Sequence, residues 1–340
     1  VNVSDRESGL AYAQRMAELA LQADQRTSRQ HLISQVLLAE FTAPVRKVPG
    51  HRVIQCDLLH PERVKSKFPR EAGFVPDFVP YASASLETFW GRFETPLPDV
   101  FTGIKEQAPL DDPQLAAPLL DLLALHFVRS HHYRDLHRHV FSEFYPQAMN
   151  WLLTERRALL QLAAWERSGL VLAGEEGLAV QAGRLLARTL DSFESGAMLR
   201  ERIEDTFAKV RAHFARCVPH VLHAAEGEFL IGDNPAPSVR VEELRCMFGV
   251  ALGDAHTVVM PLGPKHTLCL SDEARYTSVS KNMVDWLNTL QVVAARRYVY
   301  TRPPASSTER FVRRAGARWG AARGLTVLPP PRDRRGDNAF

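Results

Sequence analysis

The stretch Phe229-Leu230-Ile231-Gly232-Asp233-Asn234-Pro235 delivers a carboxylate and an amide to the end of a short apolar run. Gly232 lets the backbone bend there or approach a neighbour closely, and Pro235 biases Asn234 away from the helical region. A carboxylate and an amide fixed at a strand end suit metal coordination, general base catalysis or hydrogen bonding to a substrate. The same pair also makes an Asx-turn, in which Asp233 would only cap backbone N–H groups. A second concentration runs from His126 to His139. In helical register His132, Asp135 and His139 share one face, a set able to ligate a transition metal. Arg129, Arg134 and Arg138 in the same run would repel a cation, and a solvated basic face is the competing reading. Arg129 follows the apolar run Leu122–Val128, which places it near a buried side, where an arginine requires a carboxylate or a phosphate. Glu87 and Glu94, seven residues apart, would lie on one helix face.

Several elements must position these side chains. Helical spacing is read over Asp5–Asp24 and again from an N-cap at Ser28 through His31, Leu37 and Phe41. Arg52–Leu59 reads as a strand, Pro69–Pro80 as a Pro-rich loop, and Ser85 as the start of a helix through Phe93. Asp112-Pro113 is the N-cap and first turn of a long helix. Further helices are expected over Gln147–Glu166, Gly177–Leu190, Phe193–Cys217 and Lys281–Ala295. Strands are expected at Glu228–Ile231, His256–Met260, Thr267–Leu270 and Arg297–Thr301, with Pro261–Lys265 as a hairpin turn. These segments predict an α+β fold, a predominantly helical body with a small antiparallel sheet. The expected organisation is an N-terminal helix over residues 1–27, one domain over 28–301 (helical 83–218, sheet-containing 226–301), and a basic, partly disordered extension over 302–340.

The 340-residue chain is 45% hydrophobic and 24% charged, an ordinary globular composition. It has no apolar stretch of the ~20 residues that a membrane span requires. Val1–Glu7 is polar and acidic, so no signal peptide is expected and the expected compartment is the cytoplasm. The four cysteines are scattered and read as reduced thiols, not as a zinc site. From Arg296 to Phe340 eleven arginines against three acidic residues (Glu309, Asp333, Asp337) give +8; with the whole chain at +3, the rest carries −5. A basic tail on a mildly acidic body suits nucleic acid or another anionic partner, or is simply a solvated extension. A phosphate-binding G-x-x-x-x-G-K-[ST] loop, G-x-G-x-x-G, G-x-S-x-G and H-E-x-x-H do not occur in the sequence.

Four stretches in order resemble one family. They are Arg29-Gln30-His31-Leu32 with Leu38 and Phe41; Leu123–Ser130; Phe229–Pro235; and Met260–Pro264 with Leu287-Asn288 and Ala295–Tyr300. Together they resemble the mainly bacterial family called domain of unknown function (DUF) 4238, over Arg29 to Thr301. The resemblance implies that His31, Arg129, Asp233, Asn234 and Asn288 converge, with Glu87 and Glu94 as companions; it implies no activity. Two functions fit. The first is a metal-dependent hydrolase or nuclease acting on a phosphate-containing or nucleic-acid substrate. There Asp233 and Glu87 would hold a divalent cation such as Mg2+, His31 would be the base, Arg129 would bind the anion, Asn234 would belong to the catalytic set beside Asp233, and Asn288 would contact substrate with Arg129. The second is a non-enzymatic binding or regulatory protein in which these residues form a structural network.

Overall fold

The computed structural model describes residues 14, 17–46, 48–169, 171–172, 174–242, 245–304, 311–312 and 314. The expected basic extension over 302–340 therefore falls almost entirely outside the described residues. The chain forms two compact units, one of residues 1–27, 79–86 and 133–203, the other of 28–78, 87–132 and 204–340.

The first unit is helical. Most of α5 (His131–Thr154), with α6 (Arg157–Ser168) and α7 (Glu175–Glu194), packs around Leu152, Leu160, Leu178 and Ala182. The single helix expected over Gln147–Glu166 is two, divided at Glu155-Arg156. Gly169, at φ +68°, ends α6 in the left-handed region that glycine adopts without a Cβ clash.

The second unit carries far more sheet than the small one predicted: among the described residues the chain has thirteen strands. Six of them, β6 (Val218–Ala224) and β8–β12 (Ser238–Glu242, Arg245–Phe248, Thr257–Pro261, His266–Ser271, Arg275–Val279), form a sheet in the order β12-β6-β11-β10-β8-β9. It is antiparallel except for the β12–β6 pair. The hairpin read around Pro261–Lys265 is present, whereas β6, β8, β9 and β12 were not legible. A second sheet runs β2-β3-β13-β7 (Ala43–Val45, Val48–Asp57, Tyr298–Thr301, Ile231–Gly232), with β4 (Val64–Lys67) also paired to β3. In β3 strict alternation sends Ile54 and Cys56, with Leu58 beyond it, into a core with Leu230, Val292 and Val299. Gln55 and Asp57 face the other way. After α8 (Ala197–Phe214), helix α9 (Lys281–Ala294) serves both sheets. Met283, Val284, Leu287 and Leu290 pack on the larger one, and Val292 on the smaller.

The helix expected from Ser28 is replaced by β1 (Arg29–His31), paired with β5 (Phe74–Pro76); only α1 (Gln35–Glu40) is helical. The cause is a tertiary contact. Gly73, at φ +67°, offers its carbonyl to the Leu32 and Ile33 amides (2.8 and 3.2 Å), which fixes the chain in an extended form there. Helices α2 (Ser83–Glu94), α3 (Leu97–Lys105) and α4 (Pro113–Val128) complete the segment between β5 and α5. Asp112 caps α4 as predicted, accepting from the Gln114 amide at 2.9 Å.

Candidate functional site

The candidate residues assemble into two polar groups, both in the second unit. The first is built on α2 and α4. Glu87, Trp90 and Glu94 recur at i, i+3 and i+7 and so share one side of α2. The buried side of helix α4 is apolar except near its end, where His126 and the C-cap residue Arg129 point into the interior at 0% and 1% exposure. A charge that deep requires a partner. Arg129 Nη2 donates to Glu94 Oε1 at 2.6 Å, and the guanidinium lies 4.8 Å from the Trp90 ring centre. His126 accepts at Nε2 from the Ser34 amide (3.1 Å), and its Nδ1 donates to the Leu122 carbonyl (3.0 Å). Burial, with the Arg129 charge adding to it, drops its pKa to about 3, so it stands as a neutral strut.

His31, at the end of β1, joins this group. Its charge state responds to Arg129 and Glu94, and burial first of all holds its pKa below the usual histidine range. Nε2 lies 3.3 Å from the Arg70 carbonyl, and Nδ1 lies 3.3 Å from the Gln35 amide nitrogen. That network assigns the proton to Nε2 and leaves Nδ1 as the acceptor. Glu87 differs from its neighbours. Burial raises its pKa to about 7 against the pull of Arg129, and its Oε1 has no hydrogen-bond partner. The group thus holds one ion-paired carboxylate, one carboxyl that titrates near neutrality, and a neutral imidazole.

The second group is centred on Asp233, and its polar valences are filled. Asp233 accepts from three successive backbone amides: Arg296 on Oδ1 (2.6 Å), Arg297 and Tyr298 on Oδ2 (3.0 and 2.9 Å). Its own amide returns a bond to the Tyr298 carbonyl (2.9 Å). Burial pushes its pKa up to about 6, against the pull of those amides. On α9, Asn288 takes the Leu230 amide (2.9 Å) and gives to the Glu228 carbonyl (3.0 Å). One turn on, Gln291 takes the Gly232 amide (3.0 Å) and gives to the Pro235 carbonyl (3.1 Å). Two helix amides therefore complete the hydrogen bonding of the 228–235 segment as a neighbouring strand would. The close approach expected at Gly232 is real, since a Cβ there would lie 2.8 Å from the Gln291 carbonyl oxygen. Asn234 reaches the Ala294 carbonyl (3.3 Å).

The predicted convergence therefore divides: His31, Glu87, Glu94 and Arg129 come together, and so do Asp233, Asn234 and Asn288. No hydrogen bond or ion pair among the described residues joins Asp233 to His31 or Glu87. The residues do not fit a Mg2+ ion held by Asp233 and Glu87, because the Asp233 oxygens already carry three amides. Among the described residues no group of three or more His, Cys, Asp or Glu is placed to hold a metal ion, the His132, Asp135, His139 face included. The cysteines are free. No helix among the described residues is long and apolar enough to cross a membrane. Trp90 and the structural use of His126 were not legible as site features in the sequence. The signal that could have found His126 was a lone polar side chain inside an otherwise apolar helix face.

Comparison with known proteins matches residues 29–305 to the model of a family described as "Protein of unknown function (DUF4238)". No curated protein and no solved structure matches the chain. The match spans most of the sequence and includes every residue of both polar groups, so the chain belongs to the DUF4238 family.

Proposed function

We propose that the protein is a hydrolase working by general acid–base catalysis on a phosphate-containing or nucleic-acid substrate, with His31, Glu87, Glu94 and Arg129 as its catalytic group. The observation that carries this reading is Glu87, a half-buried carboxyl whose pKa is raised to about 7 beside an ion-paired carboxylate and a neutral histidine. Titratable groups pushed apart by their surroundings are how one site holds an acid and a base at the same pH. In the proposed step His31 Nδ1 takes a proton from water as its oxygen attacks phosphorus, and Glu87 gives its proton to the departing oxygen. Gln35, exposed beside Nδ1, would move aside for that water. Arg129, sealed behind Glu94, would act through its field and by holding Glu94 in place.

A second reading, a non-enzymatic binding or regulatory protein, is favoured by the saturation of Asp233, Asn288 and Gln291. That saturation is confined to the strand-end group, and the Glu87 Oε1 has no such partner. The test is to assay the full chain against phosphomonoesters, phosphodiesters and single- and double-stranded nucleic acids, beside Glu87→Gln and His31→Asn. Turnover that falls about 100-fold or more in both variants is expected. Equal turnover in parent and Glu87→Gln, or none on any substrate, would overturn the proposal.

A further inference from the structure

The polar face of the smaller sheet carries a cavity of about 780 Å³ that borders the Asp233 group. Register defines that face. Gln55 is opposite Tyr300 and Lys65, Val53 is opposite Lys67, and Asp57 is opposite Tyr298, so these side chains share the side turned away from the Ile54–Val299 core. Gln55, Lys67, Tyr298 and Tyr300 line the cavity, together with the Glu71–Pro76 segment, which the Tyr300 hydroxyl ties down by accepting from the Gly73 amide (3.1 Å).

Two polar groups there lack partners. Gln55 is 7% exposed and its Oε1 has no donor. A buried acceptor left empty is costly and marks a place where something donates. Lys67 makes no ion pair with any described residue, and burial together with Lys65 lowers its pKa against the weaker pull of Glu71. The acids nearby are committed elsewhere. Asp57 holds Arg297 (2.9 Å), Glu71 accepts from the Phe68 amide (3.2 Å), and the Asp233 oxygens hold three amides. The remaining lining has an apolar wall, from Leu32, Leu59, Phe74, Val75 and Pro76, and a polar side, from His131, Asp233, Arg296 and Arg297. The volume falls within the roughly 300–1,000 Å³ of small-molecule sites.

We infer that this cavity binds a mononucleotide-sized organic phosphate, its phosphate on Lys67, its flat base against the apolar wall, and a base N–H on Gln55 Oε1. A mononucleotide carries all three required features: an anion, a flat ring and an exocyclic donor. The inference does not depend on the acid–base reading, because it is tested by binding alone.

The experiment is calorimetric titration of the full chain with the four nucleoside monophosphates, their nucleosides and inorganic phosphate. At least one monophosphate is expected to bind one per chain, about tenfold or more tighter than its nucleoside and than phosphate. Lys67→Ala, on a short outer strand, should weaken it about tenfold. Gln55→Met should weaken it about fivefold while raising the Tm of the free protein, since it replaces an unsatisfied buried acceptor by an apolar side chain of similar size. Glu87→Gln should bind as the parent does, so loss of the catalytic reading would leave this one standing. No monophosphate binding below about 1 mM, or unchanged affinity in Lys67→Ala, would overturn it. So would a Gln55→Met protein that melts lower and binds normally, because that is the pattern of a structural glutamine.

Discussion

Asp233 and Glu87 are both largely buried carboxyls raised in pKa by burial, yet they sit in opposite situations. Asp233 spends its oxygens on three backbone amides and so joins β13 to the 229–235 segment. Glu87 keeps a buried oxygen without a partner beside an Arg–Glu pair. The first is a polar group consumed by folding; the second is one that folding leaves unspent. Residue type did not separate them. The count of filled hydrogen-bond valences did, and unspent polar capacity is the better guide to a working site.

The largest expected effect tests the first half of that contrast. Asp233→Asn puts an amide N–H against backbone donors and should cost about 3–5 kcal/mol in denaturant unfolding. A loss under about 1 kcal/mol would mean that the three amides have other partners available. Next comes Arg129→Met, which leaves Glu94 facing an apolar interior and should cost about 3 kcal/mol. Adding Glu94→Gln should recover a large part of that, a coupling readable in a double-mutant cycle.

Glu87 gives a signed pH dependence. Its folded pKa, about 7, lies above the ordinary 4.5, so the folded state holds the proton more tightly. Its contribution is therefore favourable at low pH and lost as pH rises between about 4.5 and 7. Glu87→Gln should match the parent near pH 4 and exceed it by about 1–3 kcal/mol near pH 8, the full pKa shift being discounted for partial exposure. A variant less stable than the parent at pH 8 would show that the ionised carboxylate has a partner and would erase the contrast with Asp233. The smallest effect is Asn234→Ala, which removes one long, partly buried hydrogen bond and should cost about 0.5–1 kcal/mol by thermal melt.

Much of the local structure was legible in the sequence. The Asp112-Pro113 start of α4, the Pro261–Lys265 hairpin, α9 and β13 each carry their own signal in caps, turns or periodicity. The strand at Arg29–His31 was not legible, because a glycine carbonyl more than forty residues away fixes it and its own residues read equally well as helix. Of the larger sheet β10 and β11 were legible, whereas β6, β8, β9 and β12 were missed, β6 for a related reason. Val218–Ala224 is buried nearly throughout, so it shows no clean alternation to read.

By itself the sequence determined which residues could do chemistry, the helix face that carries Glu87 with Glu94, and the family order in which they occur. Only the tertiary structure decided how they are divided. Long-range packing set Arg129 against Glu94, two amides of α9 beside the 228–235 segment, and the 296–298 amides on Asp233. A side chain's free valences depend on what folds against it, and residue spacing along the chain does not record that.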